Sequence, residues 1–128
     1  MSTQQPVEMI LLRQLASYLT IPIWMMDASG NLLFYNDSAG DLVGASFDDV
    51  GPVTAEDLPT MFETSVLDGT DTDVPVVRVF ASHRPAHGQI RFRGLNGVSK
   101  AVEVAAIPIE GQAGRFLGVL AVFWEIAE

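Results

Sequence analysis

Apolar and polar positions along this chain change period several times, and each change marks an element. Residues 7–19 contain no glycine or proline, and Val7, Leu11, Leu15 and Tyr18 recur at helical spacing. Ile10, Leu12, Ala16 and Leu19 widen that stripe, which predicts a helix with a broad apolar face. Pro6 suits its first turn, and Pro22 stops it, because the residue before a proline avoids the α region. Residues 23–26 and 32–35 are short apolar runs flanking Asp27-Ala28-Ser29-Gly30-Asn31, the composition of a β-hairpin. Asn36 then stands where a helix N-cap belongs, and Gly44 closes the short helix that follows.

Residues 45–73 show little periodicity and read as irregular. Within them Thr54-Ala55-Glu56-Asp57 looks like a capped turn, with Leu58 and Met61 or Phe62 packing inward. Residues 74–82 predict a short helix with Pro75 in its first turn. Three strands follow. Residues 89–93 alternate Ile90 and Phe92 with Arg91 and Arg93, Asn96-Gly97 is a hairpin turn, and residues 101–107 place Val102, Val104 and Ala106 on one face. After a turn at 110–114, residues 116–124 are apolar on both faces. The expected fold is α+β, a five-stranded antiparallel sheet with short helices on one face, plus an N-terminal amphipathic helix. The expected division is residues 1–18 for that helix and 19–128 for the domain.

Across residues 19–126 the chain resembles the PAS family. The resemblance rests on Asp27, Gly30, Leu32, Asn36, Ala39, Leu42 and Gly44, then on Asn96-Gly97, Val102, Val104, Pro108, Gly114 and Gly118, in the family's order. It implies a non-catalytic sensory module in signal transduction that relays to a signalling partner or an output domain. The family usually ends in Asp-Ile-Thr, whereas this chain has Glu125-Ile126-Ala127, and Ala127 lacks a capping hydroxyl. A stand-alone module and a piece of a longer sensor are both compatible with that ending. The resemblance also implies a space between the sheet and the central helices, lined by Met25, Leu58, Phe62, Val77, Phe80, Phe92, Val104 and Val119. Two readings of that space stay open: a pocket for a small apolar molecule, or a filled core in a purely structural protein–protein interaction domain.

Composition narrows the chemistry. The 128-residue chain carries a net charge of −9, which argues against nucleic acid and anionic membranes as partners. Eleven acids lie from Asp27 to Asp73, and six of the seven basic residues lie from Arg78 to Arg115, so the charge is polarised along the chain. No apolar run is long enough to span a bilayer, and the first residues lack a basic, signal-like start, which leads to a cytoplasmic expectation. The absence of cysteine excludes thiol-linked flavin chemistry and chromophores attached through sulfur. Haem-binding PAS domains use a histidine near the helix-to-strand junction, which singles out His83. An exposed loop histidine is the competing reading, and no haem is expected. Asp68, Asp71 and Asp73 fail calcium-loop spacing, and no nucleophile or paired-carboxylate motif is present, so neither a metal nor catalysis is expected.

The final strand raises one more expectation. Its second apolar face needs a cover, and the N-terminal helix is apolar over more of its girth than one sheet face can bury. A two-fold homodimer is expected, with an interface of Ile10, Leu11, Leu15, Tyr18, Leu19, Leu120, Val122 and Trp124.

Overall fold

The computed structural model describes residues 6–67 and 73–126. The elements are α1 (Val7–Tyr18), β1 (Ile23–Asp27), β2 (Leu32–Tyr35), α2 (Asp37–Val43), α3 (Phe47–Val50), α4 (Leu58–Met61), β3 (Glu63–Val66), α5 (Pro75–Ser82), β4 (Ala86–Arg93), β5 (Ser99–Glu110) and β6 (Phe116–Glu125). The strands form one antiparallel sheet in the order β2-β1-β6-β5-β4-β3. The chain's first hairpin therefore lies beside its last strand, and α2 to α5 bridge the halves across one face. No helix among the described residues is long and apolar enough to cross a membrane.

The sheet has six strands rather than the expected five. Glu63–Val66 pairs with β4 from Glu63↔Arg93 to Val66↔Ile90. Glu63, Thr64 and Ser65 are all exposed, so no alternation of buried positions announces this strand. Backbone pairing at a sheet edge makes it. A second difference is α3, a helical turn capped by Ser46, whose hydroxyl accepts from the Asp49 amide at 3.3 Å. It lies in the stretch read as irregular. Residues 68–72, including Asp68 and Asp71 of the acidic loop, lie outside the described residues, as does Ala127.

The two sheet faces carry separate apolar clusters. The inner face gathers Trp24, Met26, Ile90, Phe92, Val102, Val104, Val119 and Phe123 beneath the helices. The outer face buries Ile23, Met25, Ile109 and Leu117 under Met9 and Ala16 of α1, with Leu12 beside them. Burying a side chain such as Met9 contributes roughly 1.5–3 kcal/mol. The guanidinium of Arg13 sits 4.7 Å from the centre of the Phe34 ring, holding the helix to the β2 side. Val7, Ile10, Leu11, Leu15 and Tyr18 remain exposed, so the outward side of α1 is largely apolar and its polar face is narrow.

Asn36 joins these layers. Its Oδ1 accepts from the Ile23 and Ala39 amides, each at 3.0 Å. Its Nδ2 donates to the carbonyls of Ala16 at 3.0 Å, Leu19 at 3.3 Å and Ile21 at 2.8 Å. One buried amide thus caps α2, starts β1 and ties down the end of α1. Gly118 meets a different demand. At φ 156° in β6, a Cβ there would stand 2.0 Å from the Met26 carbonyl oxygen, so the β1–β6 pairing admits only glycine.

Asn36→Ala removes a cap and strands several buried backbone groups, so it lowers unfolding free energy by roughly 3 kcal/mol or more in urea titrations. A loss below about 1 kcal/mol would mean that water replaces the amide. Tyr35 donates its hydroxyl to the Ala45 carbonyl at 2.8 Å. Burial, helped by the nearby Asp49 carboxylate, pushes its pKa up from 10.0 to about 12. A folded-state pKa above the unfolded one means stability present in full below pH 10.0 and lost as pH rises through about 12. Urea midpoints of the parent should fall across that window, and the Tyr35→Phe variant should lose this component of the slope.

Candidate functional site

A cavity of about 420 Å³ lies between the inner sheet face and the helices. Alternation along the strands builds its floor: Trp24 and Met26 from β1, Ile90 and Phe92 from β4, Val104 from β5 and Phe123 from β6. Its roof comes from Ala55, Leu58, Pro59 and Phe62 on one side, and from Val74 to Val77 with Phe80 at α5 on the other. Pro59 and Val77 are exposed members of the rim. α5 stays over β4, β5 and β6 because Val79 is fully buried beneath it.

Aromatic rings form much of the wall. Trp24 meets Phe62 edge-on at 5.3 Å and Phe123 at 6.1 Å, while Phe62 and Phe92 stack at 5.7 Å. Among the described residues, none that lines the cavity is ionisable in the physiological range. The polar side-chain groups of the described lining residues are the Thr64 hydroxyl and the Trp24 indole N–H. Such a surface holds apolar matter by contact.

Of the eight residues expected to line the space, Leu58, Phe62, Val77, Phe80, Phe92 and Val104 do so. Val119 belongs to the same inner core but packs below the wall. Met25 lies on the other face, against α1, because β1 alternates and the inward positions belong to Trp24 and Met26. Sequence reading missed Trp24, Ile90 and Phe123. The period-two signal was available for Trp24 and Met26, but a four-residue apolar run does not say which parity faces in. Ala55, Pro59 and Thr64 carried no signal at all.

His83 stands away from the cavity. It ends α5 in a left-handed conformation at φ 57° and stacks its ring flat on Phe116 at 4.0 Å, exposed to solvent. His87 is also exposed, and its carbonyl accepts from Arg78 Nη2 at 2.6 Å. Among the described residues no group of three His, Cys, Asp or Glu side chains is placed to hold a metal ion. On the outer surface Ile10, Leu11, Leu15, Tyr18, Leu19 and Trp124 are exposed, whereas Leu120 and Val122 are half-buried against the cluster that α1 of the same chain covers.

The family described as PAS fold matches residues 18–128. The chain belongs to the PAS family. Solved PAS domains share its architecture. One from Colwellia psychrerythraea is 18% identical with a TM-score of 0.65, covering 92% of this chain and 96% of its own. The PAS domain of nitrogen regulation protein NR(II) from Vibrio parahaemolyticus is also 18% identical with a TM-score of 0.65, over 91% of this chain and 98% of its own. A LOV protein from Rhodobacter sphaeroides reaches a TM-score of 0.71 at 10% identity, covering 96% of this chain and 70% of its own. At these identities the likeness speaks for the fold. No curated protein sequence matches the chain. This PAS domain is thus a member of a family of signalling sensory modules, with a sheet-and-helix cavity of its own composition.

The adjacent methionines of β1 separate the two faces experimentally. Met25→Ala opens a void under α1 and should raise hydrogen exchange across residues 7–18. Met26→Ala enlarges the inner cavity and should leave exchange in that helix unchanged. Each costs roughly 2–5 kcal/mol on unfolding. Equal exchange in both variants would contradict the two-cluster division.

Proposed function

We propose that this PAS domain is a non-catalytic sensor that takes a small apolar molecule into the cavity between its sheet and α4–α5. In this reading it dimerises through α1 and the outer sheet face, and relays occupancy to a signalling partner. The observation that carries the reading is the cavity itself: about 420 Å³ of space walled by apolar side chains between the sheet and the helices. The apolar character of the described lining residues favours binding over catalysis. Residues 1–18 act as the assembly helix in this proposal, and residues 19–128 as the sensor body.

The dimer rests on α1. Val7, Leu11, Leu15 and Tyr18 form one outward stripe along the helix, with Leu11 59% and Tyr18 77% exposed, and Trp124 on the sheet is 44% exposed. Exposed apolar surface of this continuity favours an isologous contact between two copies. The same surface favours the second reading, an interaction domain that binds no ligand.

Native mass spectrometry of the freshly purified full chain separates the two. A bound mass on a dimer supports the sensor, and a ligand-free dimer supports the interaction domain. The assembly claim has its own test. The double variant Leu11→Glu, Leu15→Glu should be monomeric by light scattering where the parent is dimeric. Its far-ultraviolet circular dichroism should match the parent's, which shows a folded monomer, while its thermal midpoint should fall and lose any dependence on protein concentration. A parent that stays monomeric at high micromolar concentration refutes the dimer.

A further inference from the structure

Resting on the reading of the cavity as a ligand site, we propose that its occupant is a neutral polycyclic aromatic molecule of two to three rings. Three observations lead there. The first is the wall. Trp24, Phe62, Phe92 and Phe123 present rings at several angles, with Trp24 edge-on to Phe62 at 78° and Phe62 nearly parallel to Phe92 at 22°. A flat ligand ring entering this set finds both stacking and edge partners, each adding about two- to tenfold in affinity beyond the area it buries. A flexible alkyl chain of equal volume gains only the area term and loses rotamer freedom on binding.

The second observation is charge. None of the described side chains that line the cavity is ionisable in the physiological range, and the protein carries a net charge of −9. A carboxylate, sulfonate or phosphate in this space would give up its hydration without gaining a partner. Thr64 and the indole N–H of Trp24 can serve one or two neutral polar groups.

The third is size. An engineered apolar cavity of about 150 Å³ holds one benzene, about 25 Å³ per heavy atom. At that density the 420 Å³ here holds about 17 heavy atoms.

N-phenyl-1-naphthylamine has that size and no charge, its 8-sulfonate adds one negative charge to the same skeleton, and 1-hexadecanol has the same heavy-atom count without a ring. The full chain is titrated with each, by probe fluorescence for the first two and by displacement of the amine for the alcohol. Proton–nitrogen spectra follow the two indole N–H signals, assigned with the Trp124→Phe variant. The amine should bind saturably at one per chain and shift the Trp24 signal while the Trp124 signal stays in place. The sulfonate and the alcohol should each bind at least about tenfold more weakly. An alcohol that displaces the amine at equal concentration overturns the aromatic class but keeps the ligand site. A sulfonate as tight as the amine overturns the requirement for neutrality. A shift at Trp124 without one at Trp24 puts the molecule on the outer face and overturns the proposal. A folded protein that binds none of the three overturns the ligand-site reading itself.

Discussion

The carboxamide of Asn36 offers two donor hydrogens and one acceptor oxygen, and the fold engages them with five backbone groups from four separate segments. Ala16, Leu19 and Ile21 approach from the end of α1 and the turn after it, Ile23 opens β1, and Ala39 lies in the first turn of α2. Buried backbone groups at a helix end and a strand start need partners, and no hydrophobic contact can supply them. A carboxylate of the same shape would offer oxygen where three carbonyls require a donor. The position of α1 on the outer face, the first residue of the sheet and the direction of α2 are therefore coupled through a single side chain.

From that junction the rest of the architecture is a matter of parity. β1 presents Trp24 and Met26 inward and Ile23 and Met25 outward, and pairing with β6 carries the same division across the sheet. The inward rings wall the cavity while the outward side chains seat a helix. A shift of one residue would put Met25 beneath α5 and Trp24 beneath α1. Gly118 guards against that slip, because the Met26 carbonyl comes so close that the two strands fit in one alignment.

Local chemistry made much of this legible in advance. The Asn36 cap, the Gly44 helix end, Pro75 in the first turn of α5 and the Asn96-Gly97 hairpin all act within a few residues, and each is where its side chain implies. What escaped reading depends on partners far away in the chain. β3 is a strand only because β4 lies beside it, and its own Glu63, Thr64 and Ser65 carry no pattern. β4 likewise begins at Ala86, before its alternation becomes visible, because Ala106 of β5 is there to pair with it. The cavity shows the same limit. Phe62, Phe80 and Phe92 are bulky residues of obvious inward sense, whereas choosing Met25 over Trp24 required a parity that only the assembled sheet supplies.

The two margins of the sheet have a consequence for how the molecule meets its neighbours. Along β2, Leu32 exchanges both backbone hydrogen bonds with Val53, at 2.8 and 3.1 Å, so a loop of the same chain already occupies part of that margin. The other margin, β3, is four residues long, polar, and has Glu63 paired with Arg93 at 3.8 Å. Short, charged or pre-occupied margins are poor templates for another strand. Strand-by-strand growth of the sheet into a ribbon or fibre is thereby disfavoured at both margins. The same devices keep the unpaired backbone at each margin short, which protects the fold against edge-to-edge aggregation.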